Sequence, residues 1–288
     1  MKKIIPIFVF AAALIFALSQ CMNKSTPSVA KVAEAKVLTH KAAVDSLMVD
    51  SNAVRKPLII KELNGRDGIA VLTQNDMSEL LKQEYPANGF YGDDHYRIEF
   101  VVSEVKRDEA DARLYHIKGK NRFKKTISPF TGTVRLKTIS EMIDPNIDTT
   151  ETGDLYFIKS YSVGGEFEIK EDSTLKSSGV FKGNMNMDFA TKVDGTRELW
   201  FFSPESSAKG SGIKYEGTWT SYAKDKTKPV VWAADFFQFA NTILKDFSMG
   251  EREVEINKEY RHLGWDNFWE NDEWWVDAKD KQKEKEKM

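Results

Sequence analysis

The residues able to do acid–base, nucleophilic or metal chemistry are few and scattered. The chain has one cysteine, Cys21, and four histidines, so neither an internal disulfide nor a multi-cysteine zinc site can form. Asp93-Asp94-His95 puts three metal-ligating types in a row, but adjacent loop residues rarely all face one ion, and no second histidine stands at a supporting spacing. No metal and no cofactor is expected. His116 alternates with Leu114 and Lys118 as on a strand, which suits a core or rim histidine, and His262 lies beside Tyr260 and Arg261 with no carboxylate the sequence can pair with it. A nucleophile elbow, a Walker loop and a dinucleotide glycine fingerprint are all absent. Two carboxylates facing across a cleft would suffice for glycoside hydrolysis, yet 44 acidic residues nominate no pair. No catalytic residue is assigned.

Aromatic chemistry is better represented. Four of the seven tryptophans, Trp265, Trp269, Trp274 and Trp275, fall within residues 265–275. Trp265 and Trp269 stand at i and i+4, the spacing of one helical face. Such a strip either buries its indoles on the main domain or presents them to a sugar, a partner protein or the membrane interface. Its acidic neighbours Asp266, Glu270, Asp272 and Glu273 argue against insertion into anionic lipid. Trp219, in Gly217-Thr218-Trp219, joins these four as a candidate ligand or partner contact.

The elements that must position them are mainly strands. Tyr96, Ile98, Phe100 and Val102 alternate with Arg97, Glu99 and Ser103, the period of a half-buried antiparallel strand. A second strand is expected from Arg113 to Lys118, turning at Gly119. Four later segments share an apolar-x-Gly-x-apolar pattern: Phe130-Gly132-Val134, Val163-Gly165-Phe167, Phe181-Gly183-Met185 and Tyr215-Gly217-Trp219. Each glycine falls on the apolar face, where missing side-chain volume lets a strand bend as a closing sheet requires. Asp194-Gly195 reads as a hairpin turn, Ser206 to Gly212 as a small-residue loop and Val230-Val231-Trp232 as the last strand. The expected fold is mainly β: an antiparallel barrel or strongly curved sandwich of about eight strands, with one or two short helices and a Trp-rich C-terminal segment. Before it, Leu58–Ile60 and Ile69–Leu72 read as two short strands, and Asp76 with Glu79 opens a helix from Met77 to Tyr85, stopped by Pro86 and Asn88-Gly89. A further amphipathic helix is expected over Asp235 to Leu244.

The N-terminus has a different character. Lys2 and Lys3 precede fifteen uncharged residues, Ile4 to Leu18, too few to span a bilayer, where about 20 are needed. Leu18-Ser19-Gln20-Cys21 follows, and the segment resembles a bacterial lipoprotein signal. That resemblance implies lipidation of Cys21 after removal of residues 1–20; the alternative is an ordinary cut after Ser19, with Ala17 and Ser19 as the small pair. With Met22 after the cysteine rather than an Asp, the resemblance implies an outer-membrane address, periplasm-facing or at the cell surface. Gly217-Thr218-Trp219 is similar to the Gly-x-Trp of lipocalin-like and avidin-like barrels, although it lies near the last strand here, and it implies an up-and-down barrel whose mouth holds a ligand.

The organisation expected is a signal peptide (1–20), a lipidated tether (21–56), an α/β lead-in (57–95), a barrel-like domain (96–234), a helical and Trp-rich segment packed on it (235–276) and a charged disordered tail (277–288). Lys plus Arg (42) balance Asp plus Glu (44), and a net charge of −2 gives no global sign of nucleic-acid binding. With the resemblance to a lipoprotein signal, the expectation is a noncatalytic envelope lipoprotein, anchored to the membrane by its N-terminus, whose barrel is expected to bind a small apolar or amphipathic ligand or a partner protein. The alternatives are a subunit docking on an outer-membrane complex through the Trp-rich C-terminus, and a glycan-acting hydrolase.

Overall fold

The computed structural model describes residues 56–63, 65–145, 157–201, 203–240, 256–268, 270 and 272–276. Its elements in chain order are β1 (Ile59–Glu62), α1 (Gly65–Gln74), α2 (Ser78–Leu81), β2 (Ala87–Tyr91), β3 (Tyr96–Arg107), β4 (Leu114–Phe123), β5 (Thr126–Ile143), β6 (Phe157–Glu171), β7 (Gly179–Lys192), β8 (Arg197–Leu199), β9 (Ile213–Ser221) and β10 (Thr227–Ala233). The single-turn helices α3 (Phe237–Ala240) and α4 (Lys258–Tyr260) follow, the latter running into a π-helical turn over Arg261–Trp265.

The alternating apolar pattern closes on itself. Strands β2 to β7, β9 and β10 each pair antiparallel with the next, and β10 pairs back with β2 through Val230↔Tyr91 to Ala233↔Asn88. The result is a ring of eight up-and-down strands, uneven because its members run from 5 to 18 residues. Closure removes the unpaired edges that an open sheet exposes.

The ring is continuous only part-way along its length. Pairing of β4 with β5 ends at Leu114↔Arg135, and that of β7 with β9 at Met187↔Ile213. Beyond those points β1 takes over the flank of β5, from Ile59↔Ile143, and β8 that of β7, from Phe189↔Leu199. Helices α1 and α2 fill this end, with Leu72, Met77, Leu80 and Leu81 buried in the barrel core. Tyr115 Oη accepts the Met77 N–H at 3.1 Å, and Arg107 Nη2 donates to the carbonyls of Leu72 (3.1 Å) and Thr73 (2.6 Å), so polar contacts fix the plug as well.

The interior is filled with aromatic rings. Trp232 lies between Phe100 and Tyr215, with centroids 4.0 and 4.9 Å away and planes within 15° and 7° of parallel. Phe167 and Phe181 meet the stack edge-on. Each large aromatic buries 150–250 Å² or so, which makes this stack a dominant contribution to the core. Room for it comes from strongly coiled strands. Gly183 stands opposite Gly217, and a Cβ on Gly217 would lie 2.0 Å from the Lys182 carbonyl oxygen and 2.7 Å from the Gly183 Cα. The eight apolar residues flanking the four patterned glycines are all in the core.

Several local expectations are corrected. Ile69–Leu72 belongs to α1 rather than a strand: Gly68 and Leu72 are buried one turn apart while Ile69 is exposed, and a short apolar run carries too few residues to separate the two periods. The helix opened by Asp76, whose carboxylate accepts the Ser78 N–H at 2.9 Å, ends at Leu81 instead of Tyr85. Asn88-Gly89 is no turn but the middle of β2, where Gly89 lets the backbone of β10 approach: a Cβ there would sit 2.1 Å from the Val231 carbonyl oxygen. Strand β4 runs through Gly119 and turns at Lys124, which takes the positive φ of 58°. The ring therefore includes β2 and leaves out β8. Of the helix expected over Asp235 to Leu244, the single turn Phe237–Ala240 forms, and residues 241–244 lie outside the described residues.

Candidate functional site

On the outer wall of β2, β3, β4 and β10, the C-terminal segment forms a strap. The wall side chains pointing outward here are Phe90, Arg97, Glu99, Arg122 and Val231, because their neighbours in the alternation point into the core. The chain returns at Ile256, and Asn257 caps α4 by accepting the Glu259 N–H at 3.1 Å. Gly264, at φ +87°, then supplies the left-handed backbone that redirects the strap. Trp265 is fully buried: its ring stacks on Phe236 at 5.4 Å, packs against Phe90 at 5.4 Å, and its Nε1–H donates to the His95 carbonyl at 3.2 Å.

Next to this anchor lies a buried charge network. Arg122 makes a two-point contact with Glu99, Nε to Oε2 at 2.6 Å and Nη2 to Oε1 at 3.0 Å, and pairs with Asp272 of the strap through Nη1. Arg97 donates to Glu99 at 2.9 Å, to Asn88 at 2.9 Å and to Asn267 of the strap at 3.3 Å. Burial lowers the pKa of Arg97, with Glu99 opposing it; for Arg122 the same desolvation is outweighed by the hydrogen bonds and charges of Glu99 and Asp272, and its pKa rises. Both guanidinium groups also sit over rings, Arg97 5.0 Å from the centroid of Phe268 and Arg122 5.0 Å from that of Trp274. Lys120 Nζ donates to the Trp275 carbonyl at 3.2 Å, and the Trp275 ring meets Tyr85 edge-on at 6.4 Å. Tyr85 itself is 66% exposed.

The candidate tryptophans thus separate. The wall brings together Trp265, Trp274 and Trp275, with Trp265 wholly buried and the other two half-buried. Trp269 and Cys21 lie outside the described residues. Trp219 is elsewhere, inside the barrel at the end opposite the helices, where its Nε1–H donates to Glu171 at 2.9 Å. Glu171 also accepts from Asn121 Nδ2 and from the Gly179 N–H, each at 2.9 Å, and from Ser128. Desolvation raises its pKa, and these four donors offset only part of that rise. A carboxylate so fully bonded joins β4, β5, β6, β7 and β9 at that end of the barrel.

The histidines hold separate positions. The His95 carbonyl receives Trp265 and its ring meets Phe90 edge-on at 5.4 Å. His116 Nε2 lies 2.9 Å from Asp108 Oδ2, on the margin of a surface groove of about 430 Å³ between α2 and the β3–β4 wall that also presents Glu79, Lys82, Glu104 and Lys118. The His116 hydrogen bond, with the N–H groups of Asp111 and Ala110, holds Asp108 down at about 2. His262 is exposed, and its carbonyl accepts from Tyr96 Oη at 3.3 Å.

Sequence reasoning missed the arginine network and one further group. Arg97, Glu99 and Arg122 occupy the polar phase of their strands, which reads as solvent-facing. Asp188, between the core residues Met187 and Phe189, does the same, yet it is fully buried beneath the segment that follows β8. In each case a piece of chain distant in sequence covers the wall. No family model matches the chain, and no curated protein and no solved structure matches it either.

Proposed function

We propose that this chain is a noncatalytic, lipid-anchored envelope protein whose barrel is a docking module, engaging a partner protein through the outer wall that carries the strap. One observation carries the reading: the stack of Phe100, Trp232 and Tyr215, edged by Phe167 and Phe181, occupies the barrel interior, which directs recognition from the lumen to the wall. The strap carries exposed Asp266, Glu270, Asp272 and Glu273 along with the half-buried Trp274 and Trp275, and the Trp275 ring meets the exposed Tyr85, aromatic residues with acidic neighbours. Aromatic centres bounded by polar rims are the composition of protein interfaces, and the sign of these neighbours favours a basic partner surface. The lipobox-like Leu18–Cys21 supports the anchor at Cys21 and the outer-membrane, periplasm-facing address.

The test is site-specific photocrosslinking in intact cells, with the crosslinker at position 85 or 270 and, as control, at Asp225 in the distant β9–β10 turn. The expected result is a discrete protein adduct from 85 and 270, none from 225, and loss of the position-85 adduct when Asp266 and Glu270 are both changed to Lys. No adduct from the strap positions, together with a small molecule retained in native mass spectrometry, would overturn wall docking in favour of a lumen ligand. A denatured mass lacking acyl groups on Cys21 would overturn the anchor.

A further inference from the structure

Asp188 projects from the outer wall of β7, yet none of it reaches solvent, because Trp200, Phe201 and Ser203 to Gly212 fold back across it. That flap is held by main-chain bonds at both ends: Trp200 N–H donates to the Asp188 carbonyl at 2.9 Å, and Asp188 N–H to the Gly212 carbonyl at 2.7 Å. Between them the contacts converge on one carboxyl group. The Ser206 hydroxyl donates to Oδ2, and Ser162, opposite Asp188 on β6, supplies a second hydroxyl. Asp188 Oδ1 and the Ser211 Oγ of the flap are both buried without a hydrogen-bond partner.

Among the described residues, no cation is paired with this carboxyl. On the flap, Glu205 and Lys209 point to solvent. On β9, Lys214 is engaged by Glu216 at 2.7 Å; beyond the flap, Asp235 accepts the Phe237 N–H at 3.1 Å and Gln238 Nε2 at 3.1 Å. Across β5, β6, β7 and β8 the nearby charges pair with each other, Lys159 with Glu141 and Lys192 with Glu198. Burial raises the pKa of Asp188, and the Ser206 and Ser162 hydroxyls offset part of that rise. An ionised carboxylate in such a place is costly and a neutral one is not.

We propose that Asp188 is a proton-operated latch: protonated, it holds the 200–212 flap against the barrel wall, and ionised, it releases the flap. The sign follows from linkage. Burial pushes the docked carboxyl up to about 6, whereas in a released, hydrated flap it returns to the usual value near 4. Docking is therefore strongest below about pH 4, weakens tenfold per pH unit between about 4 and 6, and is level above that, for a total change of about a hundredfold in the opening constant. The flap also receives the Asp235 N–H on the Ser211 carbonyl at 3.1 Å, so release reaches the start of α3 and the aromatic cluster under the strap. This inference does not depend on the docking reading above.

Hydrogen exchange on the full chain in detergent, from pH 4 to 8 with rates corrected for intrinsic exchange, tests it. Peptides covering 200–212 are expected to open about fiftyfold more at pH 7 than at pH 4, with most of the rise below pH 6. Asp188→Asn removes the titration and is expected to hold the flap closed at every pH. Ser206→Ala, which takes a donor from the ionised form, moves the rise to higher pH and carries the test if Asp188→Asn fails to fold. A flat profile in the unmodified chain, the same rise in Asp188→Asn, or a rise moved to lower pH in Ser206→Ala would each overturn the latch.

Discussion

Replacing Trp265 by alanine separates a strap that is part of the folded structure from one that merely rests on it. The indole is fully buried, stacked on Phe236, packed on Phe90 and hydrogen-bonded to the His95 carbonyl. Truncating a buried Trp to Ala costs about 3–5 kcal/mol, and the lost Nε1–H bond leaves a buried carbonyl short of its donor. The expected loss is therefore about 4 kcal/mol, a large share of the 5–15 kcal/mol or so that holds a typical domain together. Equilibrium urea unfolding reads it as a fall in the transition midpoint of about 1.5 M if the slope is about 2–3 kcal/mol/M. Trypsin reads it locally, because undocking frees the backbone around Lys258 and Arg261, whose side chains are already exposed, for cleavage at the start of the strap. Trp275→Ala serves as the control: its ring is half-buried with an edge contact to Tyr85, and the expected cost is within about 1 kcal/mol. A Trp265→Ala loss below about 1 kcal/mol, with unchanged trypsin cleavage, would refute the packing described for the strap.

Two further perturbations probe the wall and the barrel. Arg122→Met removes one of the two guanidinium groups on buried Glu99 and the partner of Asp272, and is expected to destabilise by about 3–5 kcal/mol in urea unfolding because a buried carboxylate is left with Arg97 alone. A loss under about 1 kcal/mol would mean that the network is solvated. Gly217→Ala places a methyl 2.0 Å from the Lys182 carbonyl and is expected to disrupt β7–β9 pairing, with a thermal midpoint well below that of Gly195→Ala, whose Cβ meets nothing within 4 Å and whose cost is the positive φ alone, about 1 kcal/mol. Equal midpoints for the two variants would contradict the close approach of β7 and β9.

What could be read from the sequence and what could not divide along one physical line. Period-two alternation is local, and it marks Tyr96–Val102 and the apolar residues around Gly132, Gly165, Gly183 and Gly217 as one inward face; all of these apolar positions but the half-exposed Tyr96 lie in the core. The same alternation misleads wherever the outer face is covered. Arg97, Glu99, Arg122 and Asp188 have the spacing of solvated residues and are buried, because the strap and the flap reach them from positions roughly 150 and 20 residues away along the chain. Short segments such as Ile69–Leu72 misled for a different reason: four apolar residues fit a strand or a helix equally, and α1 is decided by the open end of the barrel that it fills.

By itself, then, the sequence determined the antiparallel strands, their inward faces, their glycine bends and an aromatic strip at the C-terminus, all properties of neighbours in the chain. Tertiary structure alone decided which strand closed the ring, that Trp219 faces Glu171 inside while Trp265 is buried outside, and that Asp188 is sealed beneath the flap. Burial is set by whatever covers a side chain, and here the cover comes from segments whose arrival no local period records.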